Sequence, residues 1–349
     1  MTGVRAAALA VLLAAVLTSA ATVQAQELPV VKLFTTGGTI QSLGKDRLKL
    51  AEYREGRIDG DTIIEAVPEA SRLARIEVQA ISAVSSVQMG AEQGLPLARQ
   101  LTEELARPEV AGAIVTHGTT TLEETAYFLH LTVKSPKPIV VIGSMRPWTA
   151  VSRDGPLNFL GAVRTVLAPD AAGKGVMVLL NDTIHSARFV TKRHTYHIET
   201  FVSPGVGPLG YADTDRVVFY RSPVTRHTGA SEFDLDEMES LPQVDIVYGY
   251  QEASRAPIDA LVKEGAKGVI LADSAPAHRN AVLEARAAGV VVVRSSRKGA
   301  GRVVLSDRTA ARGEITADNL HPQKARILLR LALTRTTDPR ELQRIFNEY

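Results

Sequence analysis

Apolar positions along the chain fall into two alternating rhythms. Strand-like runs occupy Val30 to Phe34, Ile76 to Ile81, Ala111 to Val115, Ile139 to Gly143 and Gly175 to Leu180. Between them the apolar residues recur at helical spacing. Such segments begin over Asp61 to Val67 and continue with Leu95 to Ala106, with Leu122, Ala126, Leu129 and Val133, and with Asn158 to Val166. Strands separated by helices of this length predict a parallel sheet covered on both faces. A Gly- and Pro-rich stretch then breaks the pattern, and it restarts at Val244. There it predicts strands over Val244 to Tyr248, Gly268 to Ala272 and Val290 to Arg294, with helices over Pro257 to Lys263, Asn280 to Ala287, Asn319 to Thr334 and Pro339 to Asn347. The reading is an α/β chain: a larger, Rossmann-like parallel-sheet domain over 26–210, a linker over 211–241 and a smaller α/β domain over 242–349.

The strand-to-helix junctions carry the candidate chemistry. Thr119, Thr120 and Thr121 lie between the strand ending at Val115 and the helix of Leu122. The first N–H groups of that helix are unpaired, so an oxyanion or a carboxylate could be held there. Thr120 with Glu123 and Thr121 with Glu124 also fit a capping box, so the threonines could equally be helix caps. After the first strand comes Thr35-Thr36-Gly37-Gly38-Thr39-Ile40, whose glycines allow a tight turn and a close approach of backbone to ligand. The P-loop spacing and its lysine are missing. Residues 42–60 are polar, glycine-punctuated and without a period, in the manner of an active-site lid, and Tyr53 within them could approach the Thr39 hydroxyl. Residues 181–200 read as another loop. Its Lys192 could act as a base if it lost its proton in a dry site, or be a solvated lysine. His194, His197 and Glu199 lack the helical metal-binding arrangement, so zinc is not expected there.

Composition narrows the setting. The 349 residues are 45% hydrophobic, with 40 Lys+Arg against 38 Asp+Glu, so nothing in the charge calls for nucleic acid or an anionic membrane. There is no cysteine, which excludes disulfides and thiolate catalysis. Residues 1–25 have the form of a signal peptide, with Arg5 before an apolar run and small residues at Val23-Gln24-Ala25. The expected location is therefore periplasmic or secreted.

Taken together, TTGGTI (35–40), THGTTTLEETAYFLHLTV (116–133), MRPWTAVSRDGPLN (145–158), NDTIHSARFVTK (181–192), GPLGY (207–211), VVRSSR (292–297) and HPQKARILL (321–329) resemble the bacterial type II L-asparaginases and glutaminase-asparaginases. The resemblance spans essentially the whole mature chain. It implies a homotetramer whose sites lie between the larger domain of one subunit and the smaller domain of its neighbour, acting on a small-molecule amide without metal or cofactor. By the resemblance, Thr39 is the nucleophile, Tyr53 the group that orients or deprotonates it, Thr119 the second catalytic threonine and Lys192 its basic partner. Ser86, Thr120, Gly38 and Gly118 fall at substrate-contacting positions.

One of these positions departs from the pattern. The family motif HGTDT reads HGTTT here, so Thr120 stands where an aspartate would bind the substrate's α-ammonium. Val87 replaces a polar residue, and Pro276 lies where the family loop has a substrate-contacting asparagine. Three readings follow. The chain hydrolyses the side-chain amide of L-asparagine, with or without L-glutamine, using another ammonium partner such as Asp273. Or it hydrolyses a different small amide, imide or lactam lacking the free α-ammonium. Or it is a non-catalytic exported binding protein.

Overall fold

Strand β1 (Val30–Gly37) is buried along its whole length because it lies inside the larger sheet. The structure is a computed structural model that describes residues 27–53, 56–236 and 238–349; the leader read at 1–25 lies outside them. After β1, a short antiparallel pair, β2 (Ser42–Leu43) and β3 (Gly56–Arg57), closes the base of the polar 42–60 segment. Two short helices follow, α1 (Gly60–Glu65) and α2 (Pro68–Leu73). Asp59 caps the first, and Pro68, suited to an opening turn, starts the second.

The next units are β4 (Arg75–Val84), α3 (Ala91–Ala106), β5 (Val110–Thr116), α4 (Leu122–Thr132), β6 (Ile139–Ile142), α5 (Gly155–Leu167) and β7 (Val176–Leu180). These five long strands run parallel in the order β4-β1-β5-β6-β7. From β1 the chain steps to one side to make β4, then crosses back to make β5 on the other. The carboxyl ends of β1 and β5 therefore flank the point where strand order reverses, the usual crevice for a ligand in such sheets.

Two expectations are corrected here. Helix α3 begins at Ala91 rather than Leu95, because Gly94 and Pro96 sit in its first turns and hide them from a periodicity reading. The stretch 181–219, which spans the expected loop 181–200 and the start of the expected linker 211–241, contains strands: β8 (Thr183–Ser186), β9 (Thr191–Lys192), β10 (Phe201–Val202), β11 (Gly210–Ala212) and β12 (Val217–Phe219). Of these, β8, β11 and β12 extend the parallel sheet as an antiparallel edge, giving eight strands among the described residues. Runs of two to four residues are too short for alternation to be visible.

The smaller domain is a four-stranded parallel sheet, β13 (Val244–Tyr248), β14 (Gly268–Ala272), β15 (Val291–Ser295) and β16 (Ile315–Thr316). Helices α6 (Ala256–Lys263) and α7 (His278–Ala287) cover one face through Ile258, Ala281 and Ala285. After the short helix α8 (Asp307–Ala310) comes α9 (Pro322–Ala332), which begins three residues later than Asn319 because Pro322 sets its first turn. It packs on β13 and β14 and also on α4 of the larger domain. Phe34, Leu97, Tyr127 and Leu129 thus share one core with Ile270, Val293, Leu328 and Leu331. Helix α10 (Pro339–Glu348) closes the chain, and Tyr349 is fully buried.

Candidate active site

The two junctions named from the sequence meet at the switch point. Gly38, at φ 84°, turns the chain out of β1, and a Cβ placed on it would lie 2.4 Å from the Cα and N of Gly118. No residue but glycine fits that contact. A Cβ on Gly118 would in turn lie 2.9 Å from the Ser86 Cβ and 3.1 Å from its Oγ. Gly38 and Gly118 are thus stacked backbone against backbone with the Ser86 side chain against Gly118, and Thr39 and Thr119 follow the two glycines directly.

Each threonine has its own hydroxyl or amine partner. Thr39 Oγ1 donates to the Tyr53 hydroxyl at 3.1 Å, which brings the 42–60 segment onto the turn. Lys192 Nζ donates to Thr119 Oγ1 at 2.8 Å. Both threonines and Ser86 are buried, while Tyr53 and Lys192 are half-buried. Burial pushes the Lys192 amine below the usual lysine range. It raises the share of neutral amine able to take a proton from a hydroxyl.

Several residues not singled out from sequence hold this arrangement. Gln41 Oε1 accepts the Gly37 N–H at 2.9 Å, and Gln41 Nε2 donates to the Ile58 carbonyl, so the glycine turn is tied to the base of the 42–60 segment. Thr36 Oγ1 donates to the Thr116 carbonyl at 2.7 Å, locking β1 to β5 just before the junctions. The start of the 42–60 segment is docked on 148–151 through Trp148 N–H to Ser42 O and Gly44 N–H to Thr149 Oγ1, both 2.9 Å. A side chain whose acceptor lies far off in sequence leaves no periodic trace.

The capping reading of the threonines does not hold. Thr121 occupies the N-cap of α4 without a side-chain bond to the helix. Its hydroxyl donates instead to the Ser86 carbonyl at 2.6 Å, and Glu123 Oε2 accepts the Lys192 N–H at 2.7 Å. The helix start serves the site rather than itself. Thr120 is exposed, on the rim rather than in the cluster.

Other candidates are committed elsewhere. Asp273 Oδ2 accepts from Lys298 Nζ at 2.7 Å and lies 3.3 Å from Arg297 Nε. Burial pushes its carboxyl up, but these two cations hold it below the usual range. The His194 and His197 rings stack at 3.7 Å, and His194 Nδ1 accepts backbone N–H bonds from Tyr196 and His197.

Fold and geometry together define a two-domain α/β protein with paired hydroxyls at the switch point of its larger sheet. Comparison with known proteins agrees. Residues 30–225 match the family description "Asparaginase, N-terminal" and residues 243–346 match "Glutaminase/Asparaginase C-terminal domain". The chain is 44% identical to "L-asparaginase 2" of Bacillus subtilis, over 95% of this chain and 89% of that one. It is 40% identical to "Probable L-asparaginase periplasmic" of Haemophilus influenzae, over 93% and 94%. The crystal structure of a "Probable Cytoplasmic L-asparaginase" from Campylobacter jejuni superposes with a TM-score of 0.88 at 41% identity, covering 92% of this chain and all of the other. The chain belongs to the asparaginase family, hydrolases of amide carbon–nitrogen bonds.

Proposed function

We propose that this chain hydrolyses the side-chain amide of L-asparagine, and of L-glutamine as a second substrate, to the acid and ammonia through a threonine nucleophile. One observation carries the reading: two threonines at adjoining junctions, one bonded to Tyr53 and the other to Lys192. A hydroxyl is a weak nucleophile unless a base lies within hydrogen-bond reach. Thr39 attacks the amide carbon, with the Tyr53 hydroxyl orienting it and relaying its proton on toward the departing nitrogen. That proton leaves with the ammonia, and the neutral Lys192 amine, acting through Thr119, then takes a proton from the water that resolves the ester and returns it to Thr39. N–H groups of the two glycine junctions hold the oxyanion, and Ser86 with the Gly38 and Gly118 backbone holds the rest of the substrate.

Thr120 favours a second reading. With no carboxylate at that position and Asp273 already paired with two cations, the described residues offer no evident partner for a free α-ammonium. A small amide without that ammonium is the alternative substrate. Ammonia release over a panel of asparagine, glutamine, N-acetylasparagine and desamino analogues separates the two. Greater activity on asparagine and glutamine supports the first reading, and preference for the acylated or desamino amides supports the second. If Thr39→Ala retained full activity on every amide turned over, the nucleophile would be misassigned.

The site's open rim, with Thr120 exposed and Val87 66% exposed, supports completion by a neighbouring subunit in a homotetramer. Sedimentation velocity tests it: a monomer with full activity would end that proposal. No helix among the described residues is long and apolar enough to cross a membrane. The leader supports export to the periplasm or medium, and the mature N-terminus of the protein recovered from a periplasmic fraction tests it.

A further inference from the structure

The turn that leads to Lys192 is held from the other domain. Lys324, on α9, is 1% exposed and sits among Ala325, Leu328 and Leu329 of the shared core. Its Nζ donates to the Arg188 carbonyl at 3.0 Å and to the Val190 carbonyl. The Arg188 side chain runs the opposite way. Its Nε donates to the Tyr349 carbonyl, and its Nη1 donates to Asn319 Oδ1 at 2.7 Å. Two cations therefore cross the domain boundary in opposite senses, one from each side, at a single turn.

Lys192 lies two residues beyond that turn. Phe189 and Val190 N–H both bond to the Ser186 carbonyl, closing the turn on itself. The Lys192 N–H is then taken by Glu123 and its Nζ reaches Thr119, both on the α4 side. The segment is pinned at its start by Lys324 and at its end by Glu123. Glu123 is also the first of the charged groups acting on Lys324, followed by Arg188 and then Glu124. Burial nonetheless pushes the Lys324 amine down to about 7, which marks how unfavourable the place is for a cation. An apolar side chain of the same length would fill it with less desolvation. Packing alone does not account for an amine there, whereas grasping two loop carbonyls does.

We propose that Lys324 is a positioning residue for Lys192: by gripping the 188–190 turn from the smaller domain, it sets the aim of the Lys192 amine at Thr119. This rests on the Thr119–Lys192 reading above. A reacting group displaced by about 1 Å loses on the order of a hundredfold in rate, so a loosened turn is felt in turnover rather than in binding.

The test is steady-state ammonia release by the full-length protein against pH, on the best amide of the panel. Lys324→Met is expected to lower kcat by about tenfold to a hundredfold with KM within about twofold, and to move the midpoint of the pH–rate profile. Lys324→Gln, which keeps one donor, should recover part of the loss. Leu328→Ala on the same helix is the structural control: it should lower the unfolding temperature yet leave kcat and the profile in place. Wild-type kcat and profile in folded Lys324→Met, or losses no larger than those of Leu328→Ala, would overturn the proposal. If Lys324→Met does not fold, Lys324→Gln is judged by the same two readouts. Lys192→Met run in parallel separates the layers. If it abolishes activity while Lys324→Met does not, only the positioning role fails; if it is itself active, the Thr119–Lys192 reading fails and Lys324 has nothing to aim.

Discussion

A lysine acts as a base only when neutral, and the surroundings of Lys192 decide when that is. Burial is the cause of its lowered pKa. Activity should therefore rise with pH through a midpoint below the ordinary lysine value of about 10.4, measurable as kcat against pH. Thr120→Asp probes the same field from the other side. A carboxylate at the rim favours the charged amine, so the midpoint should move up. It also supplies an acceptor for an α-ammonium, a charged hydrogen bond of about 1.5–3 kcal/mol, so KM for asparagine should fall by about tenfold to a hundredfold. An unchanged KM with an upward midpoint would separate the two effects and leave Thr120 irrelevant to substrate choice.

At the level of elements, the site depends on two strand-to-helix junctions touching without side chains between them. Gly38→Ala places a methyl 2.4 Å from the Gly118 backbone and at a φ of 84° that costs about 1–3 kcal/mol for a residue with a Cβ. The junctions must separate, and kcat should fall by about a hundredfold or more as Thr39 leaves its place. Gly118→Ala is milder in backbone terms, since its methyl meets the Ser86 side chain at 2.9 Å. Its expected signature is a raised KM, by about tenfold, with kcat less affected. Equal effects of both variants on kcat and KM would mean that Ser86 does not contact the substrate. Helix α4 shows the same economy: Thr121 and Glu123, which by pattern belong to its own cap, are spent on Ser86 and on the Lys192 backbone.

For the whole molecule, buried imidazoles set the acid limit. His117, at the end of β5, and His185, on β8, are pushed by burial to about 4. The unfolded chain takes up their protons near 6.5 while the folded chain does not. Stability is therefore full above about pH 6.5 and falls as pH drops toward about 4, by up to about 1.4 kcal/mol per pH unit for each group. Urea unfolding at pH 7.5, 6 and 5 should show the midpoint falling, and His185→Gln should flatten the slope. A midpoint constant over that range would show that these rings are not buried neutral. Because one core joins Phe34 and Tyr127 to Ile270 and Leu328, both domains should unfold in a single transition.

The order of long strands and helices, the break between two α/β units and the glycine–threonine junctions were all legible along the chain. Burial at a period of two or 3.6 residues is a local property that the apolar pattern records. Turn chemistry at Gly38 is local too. Short edge strands β8, β11 and β12 were not legible, because a run of two to four residues carries no period and its pairing is decided by the sheet already formed beside it. Nor were the roles of Glu123, Gln41 and Lys324, whose partners lie up to 136 residues away. The local pattern made Glu123 a capping acid and gave Gln41 and Lys324 no role. Sequence determined which groups the protein has for chemistry and on which junctions they stand. Only the crossing from β4 back past β1 to β5, and the packing of α9 on α4, decided that those junctions meet and that a lysine of one domain reaches the 188–190 turn of the other, because long-range contact is set by topology and not by neighbouring residues.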